Sequence, residues 1–246
     1  ISGQTGSFHH NLLAHCNGRN WSVGDAIDGS GTWVSKLDVF NNVVYNYGSR
    51  ATDGEVHKLN FVNNYYKKGA ATTVGHILKL EIKGFGAGTE QAYYSGNIIE
   101  DKNGDLLNDG TDNQFGRIYT LDSGSSEPTY EVFPDEPFFP SYATIHTAKD
   151  AYKSVLSDVG CNLPLLDEHD QRIVRETLEG SYTYVGSETG KKGLIDNEAD
   201  AGGYENYPEI TIDLDEFDTD RDGLPNWWEE MFGLNPNSPE GDFSDS

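Results

Sequence analysis

The chain has 246 residues, with 41 Asp and Glu against 17 Lys and Arg, for a formal net charge of −24. Its 14 Tyr, 11 Phe and 4 Trp exclude a disordered chain, which lacks the apolar surface needed to offset chain entropy. No apolar run is long enough to span a bilayer, and no basic patch of the kind nucleic acid requires is present, so neither a transmembrane segment nor a nucleic-acid partner is expected.

The charge is unevenly placed. Ile1–Glu100 holds eight basic and eight acidic residues, leaving nine basic and 33 acidic ones for the rest. Most of that acidity reads as solvated surface, and one part of it as a cation site. The 28 Gly add many turns and few long helices.

A phrase recurs through the first hundred residues: Phe8-His9-His10-Asn11-Leu12-Leu13, Val39-Phe40-Asn41-Asn42-Val43-Val44-Tyr45, Phe61-Val62-Asn63-Asn64-Tyr65-Tyr66, and more loosely Tyr94-Ser95-Gly96-Asn97-Ile98-Ile99. The Asn residues lie 31, 22 and 33 positions apart, as in a fixed unit with insertions. Each copy is a short β-prone run, an Asn break and a second short run. Asn tolerates left-handed backbone geometry and turns the chain sharply, and its amide can bond to the Asn one coil above. This predicts an all-β, right-handed parallel β-helix over residues 1–104, its Val, Ile, Phe and Tyr side chains stacked inside the coils. An antiparallel sandwich is the alternative. It is disfavoured because hairpin turns prefer Asn-Gly, whereas aromatic or β-branched residues follow Asn here.

Beyond residue 105 the phrase fades. Asp105–Ser141, rich in Gly, Asp, Ser and Pro, reads as long loops. Ala148–Leu156 has helical spacing with Gly160 as a stop, and Asp167–Leu178 begins on acidic residues and stops at Gly180. Both are expected to cover the outside of the coils, so that 105–210 forms a loop and helix cover. Cys16 and Cys161 could pair or stay reduced.

Residues 211–246 form a third segment. Asp218-Thr219-Asp220-Arg221-Asp222-Gly223-Leu224-Pro225-Asn226-Trp227-Trp228-Glu229 matches a twelve-position calcium loop. Asp218, Asp220 and Asp222 take positions one, three and five, Gly223 the turn, Leu224 a carbonyl ligand, and Glu229 the bidentate position twelve. Alternate carboxylates converge on a hard cation, so Ca2+ is the expected cofactor. With Gly233-Leu234-Asn235-Pro236-Asn237, the segment resembles thrombospondin type 3-like and dockerin-like calcium repeats.

Ser7-Phe8-His9-His10-Asn11-Leu12-Leu13-Ala14-His15 and Gly18-Arg19-Asn20, with Asn60-Phe61-Val62-Asn63-Asn64-Tyr65-Tyr66-Lys67, resemble pectate lyases of the first polysaccharide-lyase family, bacterial extracellular members above all. The resemblance spans residues 1 to about 210. It implies a secreted or cell-surface enzyme acting on an acidic, pectate-like polysaccharide by β-elimination. Arg19 would take the C5 proton of a galacturonate while the C4–O bond breaks. An arginine base is chemically demanding, because guanidinium stays protonated in water; a carboxylate-binding role for Arg19 is the other reading. In the family, calcium on the substrate carboxylate acidifies the C5 proton.

Trp21 stands where the family commonly has Pro two residues after the arginine; it is a candidate stacking platform for a sugar or a core aromatic. A further family arginine is replaced by Gly24, and Arg50 or Lys58 could supply its charge. His9, His10, His15 and His57 are assigned structural roles, since strand neighbours such as His9 and His10 face opposite sides. Asn20-Trp21-Ser22 matches a glycosylation acceptor. The family's catalytic calcium ligands lie on coils before the His-His-Asn strand, so an N-terminal β-helix piece, as a separate chain, is expected to complete the cleft. Two other readings remain: a non-catalytic β-helix for glycan binding or as a surface protein, and a glycoside hydrolase. The latter requires paired carboxylates, for which Asp25, Asp28, Asp38 and Asp53 are the nearby candidates.

Overall fold

The structure is a computed structural model that describes residues 1, 3–83, 86–162, 165–205 and 212–239. The chain divides into two compact units, Ile1–Glu205 and Asn206–Ser246. Among the described residues no helix is long and apolar enough to cross a membrane.

The first unit winds through four successive coils. The first coil holds β1 (Thr5–His9), β2 (Leu12–Ala14) and β3 (Ser22–Val23), and the second β4 (Lys36–Phe40), β5 (Val43–Tyr45) and β6 (Thr52–Gly54). The third holds β7 (Lys58–Val62), β8 (Tyr65–Lys67) and β9 (Leu78–Ile82). The fourth opens with β10 (Gln91–Ser95) and β11 (Ile98–Glu100), folds back as β12 (Leu106–Asp109) and closes with β13 (Arg117–Leu121). Corresponding strands pair in parallel into three sheets, ordered β1-β4-β7-β10, β12-β11-β8-β5-β2 and β13-β9-β6-β3, with only β12 antiparallel. Mostly parallel strands traversed coil by coil are compatible with the expected β-helix. Where Asp105–Ser141 read as loop, β12 and β13 appear. Their Leu and Ile residues are flanked by Gly and acidic residues instead of the Asn phrase, so the repeat does not reveal them.

Alternation along the strands fills the interior. Leu37 and Val39, Leu59 and Phe61, Leu78 and Leu80, Tyr66 and Tyr94 are all buried in one cluster, each worth roughly 1.5–3 kcal/mol when removed from water. Tyr47 meets Tyr66 edge-on at 5.6 Å, and Phe61 stacks on Tyr94 at 5.8 Å. The first coil is less enclosed: β4 and β5 are buried almost throughout, whereas β1 alternates between exposed and half-buried and β2 is half-buried throughout.

The corner between the first two sheets divides its work between two neighbours. His10, Asn41, Asn63 and Gly96 take left-handed backbone, with φ of 55°, 54°, 51° and 67°. The next residues, Asn11, Asn42, Asn64 and Asn97, build a ladder in which each amide donates to the Oδ1 one coil on, at 3.0, 3.1 and 3.0 Å. The same oxygens accept the backbone N–H groups of Asn11, Asn42 and Asn64. Asn108 continues the column by donating to the Asn97 carbonyl at 3.1 Å.

Two helices pack near the second sheet. α1 (Ala148–Asp158) is capped by Thr147, and its Tyr152 ring lies 4.4 Å from that of Tyr65. α2 (Glu168–Glu179) is capped by Asp167 and ends on left-handed Gly180. Glu176 of α2 is buried against His15 Nε2 at 2.8 Å and accepts from Arg172 at 3.2 Å. Ahead of α1, the His146 N–H donates to Asn41 Oδ1 while its carbonyl accepts from Asn41 and Asn63, all at 2.8 Å. Cys16 and Cys161 are not bonded to each other.

Candidate active-site cleft and acidic loop

The third sheet carries its charge on the outer face. Ser22, Asp53 and Lys79 lie in line across β3, β6 and β9. The short β3 can stack on β6 because position 54 is glycine: φ there is 135°, and a Cβ would come within 1.8 Å of the Val23 carbonyl. Arg19 precedes β3 and Arg50 precedes β6, at the 31-residue offset that relates the two coils. Both line an open cleft of about 260 Å³ with Asp53, Glu55, Glu81 and Lys83.

Every carboxylate in this cleft has a cation. Arg50 Nε bonds to Asp53, and its guanidinium lies 3.7 Å from Glu81. Lys79 is 2.7 Å from Glu81 and 3.8 Å from Asp53; Lys83 is 3.6 Å from Glu81, 3.8 Å from Glu55 and 3.1 Å from Asp122. The Lys79 hydrogen bond, helped by the charges of Lys79, Lys83 and Arg50, holds the Glu81 carboxyl below its ordinary range despite burial. Burial works against the Lys83 ammonium, yet its bond to Asp122 and the nearby Glu55 and Glu81 raise its pKa. Arg19 has no ion pair among these contacts, is exposed, and sits at φ 60°. Apart from Gly, the other left-handed residues described in this unit are His or Asn, types that tolerate the geometry better than a long side chain does.

Behind the cleft lies Glu90. It is buried, accepts the Lys83 N–H at 2.9 Å, and its own N–H donates to Tyr130 at 3.1 Å. Burial, reinforced by Asp25 and Glu55, pushes its carboxyl up to about 7 against the pull of the Lys83 N–H.

Of the residues singled out in the sequence, Arg19 and Arg50 come together in the cleft. Trp21 packs half-buried against the core beside Phe8, ring centres 5.8 Å apart. Lys58 lies on the first sheet, where its ammonium meets Gln91 and Thr89 and sits 4.6 Å over the Phe138 ring. The sequence reading passed over Lys79, Glu81 and Lys83, although charges at every second residue of a strand mark one face. The candidate hydrolase carboxylates have separate tasks. Asp25 accepts the N–H groups of Ala26 and Ser35, Asp28 those of Ser30 and Thr32, Asp38 is buried on the first sheet, and Asp53 pairs with Arg50. Asn20 is fully buried and its amide donates to the Arg50 carbonyl at 3.0 Å, so no glycan fits on it in the folded chain.

The expectation that His9 and His10 face opposite ways is corrected. β1 ends at His9, and the left-handed turn at His10 swings its ring back, bringing the two Nδ1 atoms to 2.8 Å. Strand alternation holds only while the strand continues.

In the second unit, α3 (Leu214–Phe217) leads into the acidic loop and α4 (Asn226–Phe232) follows, ending on left-handed Gly233. Carboxylate oxygens of Asp218, Asp220 and Asp222 all lie within 4.8 Å of one another. The loop is shaped by its own amides: Gly223 N–H donates to Asp218 at 3.1 Å and Leu224 N–H to Asp222 at 2.8 Å. Gly223 takes φ 96° and Glu229 is completely buried. One oxygen each of Asp218 and Asp220 is shielded from solvent with no hydrogen bond. A trio of converging carboxylates with unsatisfied oxygens is a donor set that fits a hard divalent cation.

No family model matches the chain. It is 28% identical over 207 residues to proteins described as probable pectate lyase C from Aspergillus flavus and from Aspergillus oryzae. The match covers 81% of this chain and 43% of theirs, so the chain spans less than half the length of the curated relatives it matches. The chain is thus distantly similar to pectate lyases. Both of these relatives are fungal, and neither supports a bacterial type.

Proposed function

We propose that this chain forms the C-terminal coils, the helical cover and a calcium-binding segment of a secreted, pectate lyase-like polysaccharide lyase, a bacterial extracellular one by its sequence style. Its substrate is polygalacturonate or a related uronate polymer. The observation that carries the reading is the placement of Arg19: an exposed guanidinium, in a backbone conformation disfavoured for its type, at the rim of a charged open cleft. Similarity to pectate lyases over four fifths of the chain supports it.

In the mechanism, Arg19 meets the sugar at the reacting carbon and, as the neutral guanidine left when its guanidinium gives a proton to solvent, accepts the C5 proton. The electron pair of that C–H bond forms the C4–C5 double bond, and the C4–O bond breaks with its electrons on the leaving oxygen. Arg50, Lys79 and Lys83 neutralise Asp53, Glu55 and Glu81, so that these carboxylates do not repel a uronate, and Arg19 is left to meet its carboxylate and the charge developing beside C5. Calcium supplies Lewis-acid chemistry to such reactions when bound. The carboxylates described in this cleft do not fit that ion, because each is committed to Arg50, Lys79 or Lys83. We therefore assign the catalytic calcium ligands to an N-terminal β-helix piece that completes the cleft, as the resemblance to pectate lyases implies. Asp218, Asp220, Asp222, the Leu224 carbonyl and Glu229 hold a separate structural Ca2+.

The test is eliminative cleavage of polygalacturonate by the native protein with its N-terminal piece, read from the absorbance of the unsaturated product with and without chelator. We expect calcium-dependent turnover that falls by about 100-fold or more in Arg19→Lys, as loss of a positioned proton acceptor requires. No calcium-dependent product from the unaltered protein overturns the lyase reading and leaves a non-catalytic, glycan-binding β-helix.

A further inference from the structure

Away from the cleft, three imidazoles from distant parts of the chain form a continuous hydrogen-bonded row. His10 Nδ1 meets His9 Nδ1 at 2.8 Å, and His10 Nε2 meets His146 Nδ1 at 3.0 Å. The row is held from both ends. His9 stacks on Phe40 with ring centres 4.8 Å apart, and the His146 backbone is fixed to Asn41 and Asn63 by three hydrogen bonds. At the corner where later coils use Asn41, Asn63 and Gly96, this coil has His10, so the turn itself aims the ring.

We infer that His10 Nε2 and His146 Nδ1 form a two-histidine clamp for a borderline divalent transition-metal ion such as Cu2+, Ni2+ or Zn2+. Imidazole nitrogen is a preferred donor for these ions, whereas Ca2+ takes oxygen. With metal–nitrogen bonds of about 2.0–2.1 Å, two nitrogens 3.0 Å apart subtend an angle near 95° at a metal, the cis angle of tetragonal sites, once the two rings turn from facing each other in the hydrogen bond to facing one ion. The proton arithmetic is simple. His10 keeps its proton on Nδ1, donating to His9, which fixes its tautomer as a ligand's outer hydrogen bond does. His146 moves its proton from Nδ1 to Nε2 through solvent, so both imidazoles bind while neutral and no net proton is released. The exposed flank of His146 leaves room for water to complete the coordination. Because His146 belongs to the strap ahead of α1 and His10 to the first coil, the ion would tie that strap to the coils.

The experiment is titration of the native protein with Cu2+, in excess Ca2+ so that the acidic loop is filled, followed by electron paramagnetic resonance and thermal unfolding. We expect one high-affinity ion with two imidazole nitrogens and a rise in melting temperature. His10→Asn restores the residue that the same corner carries in later coils, and His146→Ala keeps every backbone bond to Asn41 and Asn63; neither should disturb folding. Each should weaken binding by more than about 100-fold and remove the thermal shift, beyond the 10–100-fold typical of losing an outer-shell partner. A spectrum without imidazole nitrogen, or affinity unchanged in both variants, overturns the site.

Discussion

Glu90 sits behind the cleft where burial and the neighbouring Asp25 and Glu55 favour its neutral form. A carboxyl whose folded pKa lies above its unfolded value binds more protons when folded, so stability is lost as pH rises between the two. For Glu90 that window runs from the ordinary 4.5 to about 7. At roughly 1.4 kcal/mol per pKa unit the full loss is on the order of 3 kcal/mol. Glu90→Gln should abolish this component. Urea unfolding at about pH 5 and about pH 8 should show the unaltered protein losing more stability than the variant; parallel profiles would contradict the assignment. Nothing in the sequence around Glu90 announces this burial, which comes from Tyr130 and the residues of other coils closing over it. Arg19 is the opposite case: its place after the His-His-Asn strand was legible in the sequence, but its left-handed backbone was not.

Among the elements, the Asn column does most to set the coils in register. Asn64 donates to Val39 and Asn97 while its Oδ1 accepts from the Asn42 amide and backbone, all within a buried corner. Asn64→Ala leaves the Asn42 N–H buried without a partner, at about 1–3 kcal/mol, and removes the Asn64 amide's own bonds to Val39 and Asn97, at about 1 kcal/mol each. We expect a loss of about 3 kcal/mol or more, against about 1 kcal/mol for Asn11→Ala at the half-buried first coil. Chemical denaturation of the two variants checks this, and equal losses would mean that the column does not act through burial. The paired Asn-Asn phrase disclosed the corner because turn and ladder need adjacent residues. β12 and β13 stayed hidden because the chain leaves that phrase behind, and β12 runs antiparallel.

At the scale of the whole molecule, the two compact units differ in what holds them. The coils rest on a packed interior of Leu, Val, Phe and Tyr. The second unit has few buried side chains among its described residues, and its loop gathers three carboxylates that repel one another without a cation. Adding Ca2+ to chelator-treated protein should change the fluorescence of Trp227 and Trp228 and slow proteolysis within residues 212–239. Asp220→Ala should weaken the calcium dependence by about tenfold or more, since ligand charge sets affinity in such loops; unchanged calcium response would sink the assignment. The sequence by itself determined the features that depend on near neighbours: the coil repeat, the helical stretches at Ala148–Leu156 and Asp167–Leu178, and the spacing of the carboxylates in the acidic loop. Tertiary structure decided what depends on residues far apart in the chain. It brought Arg50, Lys79 and Lys83 beside Arg19, turned Trp21 toward the core, placed Lys58 on another sheet, and set His146 against His10. Stacking brings positions 31 or more residues apart within a few ångströms, and that distance depends on insertion lengths and loop paths that no local pattern encodes.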